Sequence, residues 1–172
     1  STMYGLDQDR DSITYAKNKS PNIKTDFYCT DFLKYKTKKK FSKIFIIGVI
    51  ECFDNLDNFV RKVSKISRVN SKVYLFCKSN DSDIDVISNY LNKVEKKNWQ
   101  ITSFWSHKTL LEKFKKYNFK FKIKKSFSLP FNLKKNKDPI RSFTVKTEYG
   151  KLFANSFEIF NLNLYVFKKN KK

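Results

Sequence analysis

The chain has 172 residues, 40% hydrophobic and 17% aromatic, which suits one domain with a sizeable core and excludes wholesale disorder. Its longest apolar run, Ile44 to Ile50, is far shorter than the ~20 residues of a spanning helix. No basic start with an apolar signal core precedes that run, so the chain reads as soluble, intracellular and cytoplasmic. The net charge is +21, but lysine outnumbers arginine 33 to 4, and Lys, Asn, Phe, Tyr and Ile abound while Ala, Gly and Pro are scarce. AT-rich coding would produce the same bias, and it reads as a solvated lysine surface, leaving a nucleic-acid partner as the weaker reading.

In chain order, Met3 to Leu6 reads as the end of a strand stopped by Asp7. Asp9 or Asp11 then caps a helix through about Asn18, with Ile13 and Ala16 facing inward, and Ser20-Pro21-Asn22 breaks it. Ile23 to Cys29 is a second strand, and Lys43 to Ile47 a third, apolar enough to be buried on both faces. After an Asp54-Asn55 start, Leu56, Phe59, Val60, Val63 and Ile66 form the strongest helical stripe in the chain. Lys72 to Cys77 is a fourth strand, and Ile84, Ile87, Leu91 and Val94 form another helical stripe.

Ser106 caps a further helix through Leu110, Leu111, Phe114 and Tyr117, and Phe119 to Phe127 alternates as a half-exposed strand. Pro130 to about Ser142 is polar and reads as loop; Leu162 to Phe167 is a last strand expected near a sheet edge. Strands and helices alternating in this way predict a single α/β domain over residues 1–172, closed by a basic tail at 168–172.

Three segments carry a resemblance. Tyr4-Gly5-Leu6-Asp7-Gln8-Asp9, Tyr28-Cys29-Thr30-Asp31-Phe32-Leu33, and Phe41 through Gly48-Val49-Ile50-Glu51-Cys52 stand in the order of the class I S-adenosylmethionine-dependent methyltransferases. The chain resembles that family, in its small-molecule form, from Tyr4 to Phe167. The resemblance implies a Rossmann-like sheet, mostly parallel with an antiparallel strand near the C-terminus. It implies S-adenosylmethionine as cofactor, with Asp7 at the ribose, Asp31 and Phe32 at the adenine, and Gln8, Ile47 and Gly48 as further cofactor-binding residues. It also implies a small-molecule methyl acceptor of quinone, sugar or lipid-precursor type.

The departures are as specific. The family's first strand and Gly-x-Gly-x-Gly loop have no counterpart: the glycines are Gly5, Gly48 and Gly150. The expectation is an N-terminally incomplete domain whose absent central strand leaves two half-sheets, with activity belonging to a longer parent chain. Ser42 replaces an acid before the fourth strand, Val69-Asn70-Ser71 replaces a Pro-Gly-Gly turn, and Cys52 replaces a histidine after Glu51.

Methyl transfer needs alignment of the acceptor more than side-chain chemistry, so few catalytic groups are required. Glu51, at the end of a central strand, is the candidate facing the acceptor; its plainer role is capping or solvating the helix from Asp54. Cys52, Trp105 and His107 are candidate substrate contacts, against packing for Cys52 and a surface position for His107. Phe104, Trp105, Phe127, Phe131 and Phe143 are further aromatics for an apolar acceptor pocket. Cys29, Cys52 and Cys77 lack CxxC spacing and one histidine does not complete a zinc set, so no disulfide framework or metal is expected. Methylation of RNA or protein, and a basic module without activity, are the competing functions.

Overall fold

The computed structural model describes residues 2–20, 24–78, 105–127, 143–147, 150–154 and 162–171, and the helical stripe from Ile84 to Val94 and the polar stretch from Pro130 lie outside them. The chain divides into two compact units, Ser1–Lys39 and Lys40–Lys172.

The smaller unit is a strand, a helix and a strand: β1 (Met3–Asp7), α1 (Arg10–Lys19) and β2 (Thr25–Cys29). Asp9 caps α1, its carboxylate accepting the Ser12 N–H at 2.8 Å, and Ile13 is the buried apolar side chain of this unit among the described residues. β1 and β2 pair in parallel, Gly5 opposite Phe27 and Asp7 opposite Cys29. A Cβ at position 5 would stand 2.6 Å from Phe27 Cδ1, so glycine is what lets that ring lie across β1.

The larger unit holds β3 (Phe41–Ile47), a 3₁₀ turn (Ile50–Cys52), α2 (Leu56–Ile66), β4 (Ser67–Lys78), α3 (His107–Lys116), β5 (Phe119–Phe127) and β8 (Leu162–Lys169). The strands form one sheet in the order β3-β4-β8-β5. β3 runs parallel to β4, and β8 runs antiparallel to both β4 and β5, so β8 is the one reversed strand of the four. Between β5 and β8 in sequence, β6 (Phe143–Thr147) and β7 (Gly150–Ala154) pair as a separate antiparallel two-stranded sheet.

The helices sit where the stripes put them. Asn55 caps α2 by accepting the Asn58 N–H at 3.0 Å, and Leu56, Phe59, Val60, Val63 and Ile66 are all buried. Ser106 caps α3 in the same way, accepting from Thr109, and Leu110 and Phe114 are buried. The facing sheet residues are Val73, Leu75 and Cys77 of β4 and Tyr165 and Phe167 of β8, all fully buried. Phe114 and Phe167 stack at 3.9 Å with planes 7° apart.

β8 lies near the sheet edge as expected, one place in, with β5 outside it; it takes in Lys168 and Lys169, which extend the ladder into the basic tail. Two expectations need correction. β4 begins at Ser67, immediately after α2, so the turn expected at Val69-Asn70-Ser71 lies inside the strand as an irregularity, with Asn70 at φ 64°. β3 is not buried on both faces: Ile46 is 7% exposed but Phe45 is 61% and Ile47 65% exposed. Among the described residues β3 pairs on one side only, and Phe45 has a stacked partner in Tyr74 at 4.8 Å.

An ionic clamp joins the two helices. Asp57, in the first turn of α2, accepts from Lys116 at 2.7 Å, from Lys113 at 3.3 Å and from the Tyr117 hydroxyl at the end of α3. The Lys116 ammonium first, then the Tyr117 hydroxyl, hold the Asp57 carboxyl well below the carboxylate range, and Asp57 raises both partners. A depressed carboxylate stabilises fully above its unfolded value of about 3.9, while raised Lys and Tyr groups stabilise fully below about 10. Asp57→Asn is therefore expected to be most destabilising, relative to the wild type, between about pH 5 and 9. Urea unfolding across pH reads this as a gap that narrows in acid and in alkali.

Phe114→Ala, which removes a stacked and fully buried ring, is expected to lose about 3–5 kcal/mol. The urea midpoint should fall with the slope unchanged.

Candidate functional site

In the smaller unit the parallel pairing brings two carboxylates to the same end of two adjacent strands. Asp7 is the last residue of β1, opposite Cys29, and its carbonyl accepts the Thr30 N–H at 2.7 Å; Asp31 follows one residue later. Asp7 Oδ1 accepts the Asp9 N–H at 2.9 Å, and Asp31 Oδ1 accepts the Leu33 N–H at 2.7 Å. Each carboxylate is thus oriented by the main chain two residues on, and neither Oδ2 has a hydrogen-bond partner among the described residues. Gln8 is exposed, with its carbonyl near Cys29 Sγ at 3.5 Å, and Phe32 is half-buried.

An aromatic face that the motifs do not announce lies beside them. Tyr4 and Tyr28 stack at 6.3 Å, Tyr35 tilts against Tyr28 at 5.3 Å, and Lys39 lies over the Tyr4 ring. The usable signal was the alternation that puts Tyr4 of β1 and Tyr28 of β2 on one face.

In the larger unit, β3 ends in a left-handed turn at Gly48, φ 59°, whose N–H donates to Phe76 O at 3.0 Å. Open space lies where a Gly48 Cβ would point, and Ile47 beside it is exposed. The 3₁₀ turn follows, with Ile50 fully buried and Glu51 5% exposed. Glu51 Oε1 accepts the Lys78 N–H at 2.7 Å, tying the turn to the end of β4. Glu51 therefore neither caps nor solvates α2, because Asn55 takes the cap and burial takes the carboxylate.

Trp105 Nε1 donates to Ile50 O at 3.3 Å, which brings Trp105 to the turn that carries Glu51 and the half-buried Cys52. His107 departs from the surface position expected of it. Its ring stacks on Tyr165 at 5.6 Å and meets Phe121 edge-on at 5.8 Å, so it belongs to the packing of α3 on β8 and β5. Phe104 and Phe131, and the side chains of Phe127 and Phe143, lie outside the described residues.

No family model matches the chain, and no curated protein matches it. Solved structures do. Protein BH2331 of Bacillus halodurans C-125 is similar at 14% identity over 99% of this chain and 84% of its own, with a TM-score of 0.73. The N-methyltransferase NodS of Bradyrhizobium japonicum WM9 is 9% identical over 98% of this chain and 73% of its own, TM-score 0.63. A SAM-dependent methyltransferase of Methanosarcina mazei is 12% identical over 99% and 83%, TM-score 0.60. The chain has the class I methyltransferase fold. In a methyltransferase-type sheet, as in open α/β sheets generally, ligands lie beyond the carboxyl ends of the parallel strands. Asp7 is the last residue of β1, Asp31 stands two residues beyond β2, and Gly48 and Glu51 follow β3.

Because Glu51 holds its turn through a charge-assisted bond to the Lys78 N–H, Glu51→Leu is expected to lose about 1.5–3 kcal/mol. Glu51→Gln, which keeps an acceptor oxygen, should lose less, and urea denaturation of the pair measures the difference.

Proposed function

We propose that this chain serves S-adenosylmethionine-dependent methyl transfer to a small-molecule acceptor, of quinone, sugar or lipid-precursor type. The observation that carries the reading is the pair of carboxylates at adjacent strand ends, each held by one oxygen and presenting the other. Such a carboxylate suits hydroxyl and amino donors, so Asp7 takes the ribose hydroxyls and Asp31 the adenine amino group, with Phe32 against the ring and Gln8 beside the ribose. NodS, whose structure is also known in complex with S-adenosylhomocysteine, supports the choice of cofactor through the shared fold.

When bound, the cofactor supplies the reactive methyl carbon. Ile47 and Gly48 are taken as further cofactor contacts because β3 ends there in a left-handed turn with open space where a Gly48 Cβ would point. Glu51 is a positioning residue that fixes the turn bearing Cys52, with Trp105 bonded to the same turn on the acceptor side. The fit covers the adenosine part alone: none of the three glycines forms a glycine-rich turn able to cradle the methionine part. A small molecule is favoured over RNA or protein as acceptor because no Asn-Pro-Pro-Tyr type sequence follows β3 and arginine is rare.

Amide chemical-shift mapping with S-adenosylhomocysteine and with adenosine tests this reading. Shifts should centre on Asp7, Gln8, Asp31 and Phe32, adenosine should bind nearly as well as the full cofactor product, and Asp31→Asn should weaken both about tenfold. Titration that leaves these four amides unmoved overturns the assignment. A product affinity far above that of adenosine overturns the restriction to the adenosine part.

A further inference from the structure

From Lys113 to Lys125, seven of thirteen residues are lysine and none is acidic. The fold turns this stretch into a border: the last turn of α3, then β5 along the sheet edge, with Lys168 of β8 opposite Lys120. Asp57 neutralises Lys113 and Lys116, and Lys124 lies 5.7 Å over the Tyr165 ring. Lys115, Lys120, Lys122 and Lys125 have no ion pair among the described residues. Cations at a helix C-terminus and lysines on an edge strand are ordinary structural devices. They do not account for the groove between them.

That groove, of about 540 Å³, runs between α3 and the start of β5. Leu111, Phe119 and Phe121 are its apolar lining, Lys115 and Lys120 its charged lining, and Asn118 and Asn170 its amide lining. The Asn170 N–H donates to Asn118 O at 2.8 Å, and Asn118 holds a left-handed φ of 63°. Phe121, 36% exposed, shares this groove with Lys115 and Lys120. β5 points the same way as β3, so the groove, at its amino end, is at the opposite end of the sheet from the Glu51 turn.

We propose that this groove and the β5 border bind single-stranded RNA, as a docking surface apart from the methyl-acceptor residues. An exposed aromatic ring between cations is the pairing that single strands use, a base stacking on the ring while ammonium groups take the flanking phosphates. A duplex keeps its bases from the ring, and an acidic peptide or an anionic membrane uses the charge without it. Lysine in place of arginine gives point-charge phosphate contacts with no bidentate reading of base edges, so binding is tolerant of sequence. The proposal does not depend on methyl transfer.

The test is fluorescence anisotropy of the full chain with a labelled twelve-nucleotide oligouridylate in rising KCl. With Lys115, Lys120, Lys122 and Lys125 on about four phosphates, affinity should fall about fiftyfold between 50 and 200 mM salt. Changing Lys115, Lys120 and Lys122 together to Gln should weaken binding at least about tenfold and lower the salt slope by about 2. Phe121→Leu, which keeps apolar volume against His107 and Phe167, should weaken binding about fivefold or more with the slope unchanged. Lys17→Gln, Lys19→Gln and Lys24→Gln together remove the same charge from the smaller unit and should change affinity less than twofold. Equal loss from the two triple variants overturns the surface, since charge alone then explains binding. Equal binding of duplex RNA, heparin or anionic vesicles, with Phe121→Leu silent, overturns the single-strand partner.

Discussion

The larger unit depends on β4 being paired along both sides. Its buried residues, Val73, Leu75 and Cys77, alternate toward the helices, while its ladders fix β3 in parallel and β8 in antiparallel register. Two strand-end features hang directly on it: the Gly48 N–H bonds Phe76 O, and Glu51 takes the Lys78 N–H. A period-2 strand cannot slip by one residue without turning that buried set outward, so the register that packs the core also sets where the turn after β3 stands. Packing and site geometry are one constraint here.

The smaller unit has no comparable support. Ile13 is its buried apolar side chain among the described residues, and chains near this length rarely stabilise themselves by core alone. Its order comes from local bonding: the Asp9 cap, the main-chain bonds to Asp7 and Asp31, and the Tyr4, Tyr28 and Tyr35 face with Lys39. The carboxylates assigned to the adenosine part therefore stand on the less stable element of the chain, a usual property of ligand-binding segments.

The elements with strong periodicity were legible from residues alone. The α2 stripe, the Ser106 cap and the bounds of β5 come directly from spacing, because one amphipathic face and one capping oxygen suffice to place each. The order of short motifs carried the fold class, and the structural neighbours agree with it at identities too low for sequence comparison alone. Pairing was not legible where it depends on residues distant in the chain. An apolar β3 looks buried on both faces until its open side is seen. His107 was misjudged for the same reason: only the register of β8 brings Tyr165 beneath its ring. Two half-sheets were expected, and the strands do form separate β1-β2 and β3-β4-β8-β5 sheets.

The claim that joins these observations is that stability is unequal: a rigid sheet built on β4, and a lightly held unit bearing Asp7 and Asp31. Native-state hydrogen exchange by NMR measures this residue by residue. The Leu75, Cys77, Tyr165 and Phe167 amides should exchange only through global unfolding. The Gly5, Leu6, Phe27 and Tyr28 amides should open at a clearly lower free energy and with a smaller dependence on denaturant. Equal protection and equal denaturant dependence in both groups would show one cooperative unit and contradict the account.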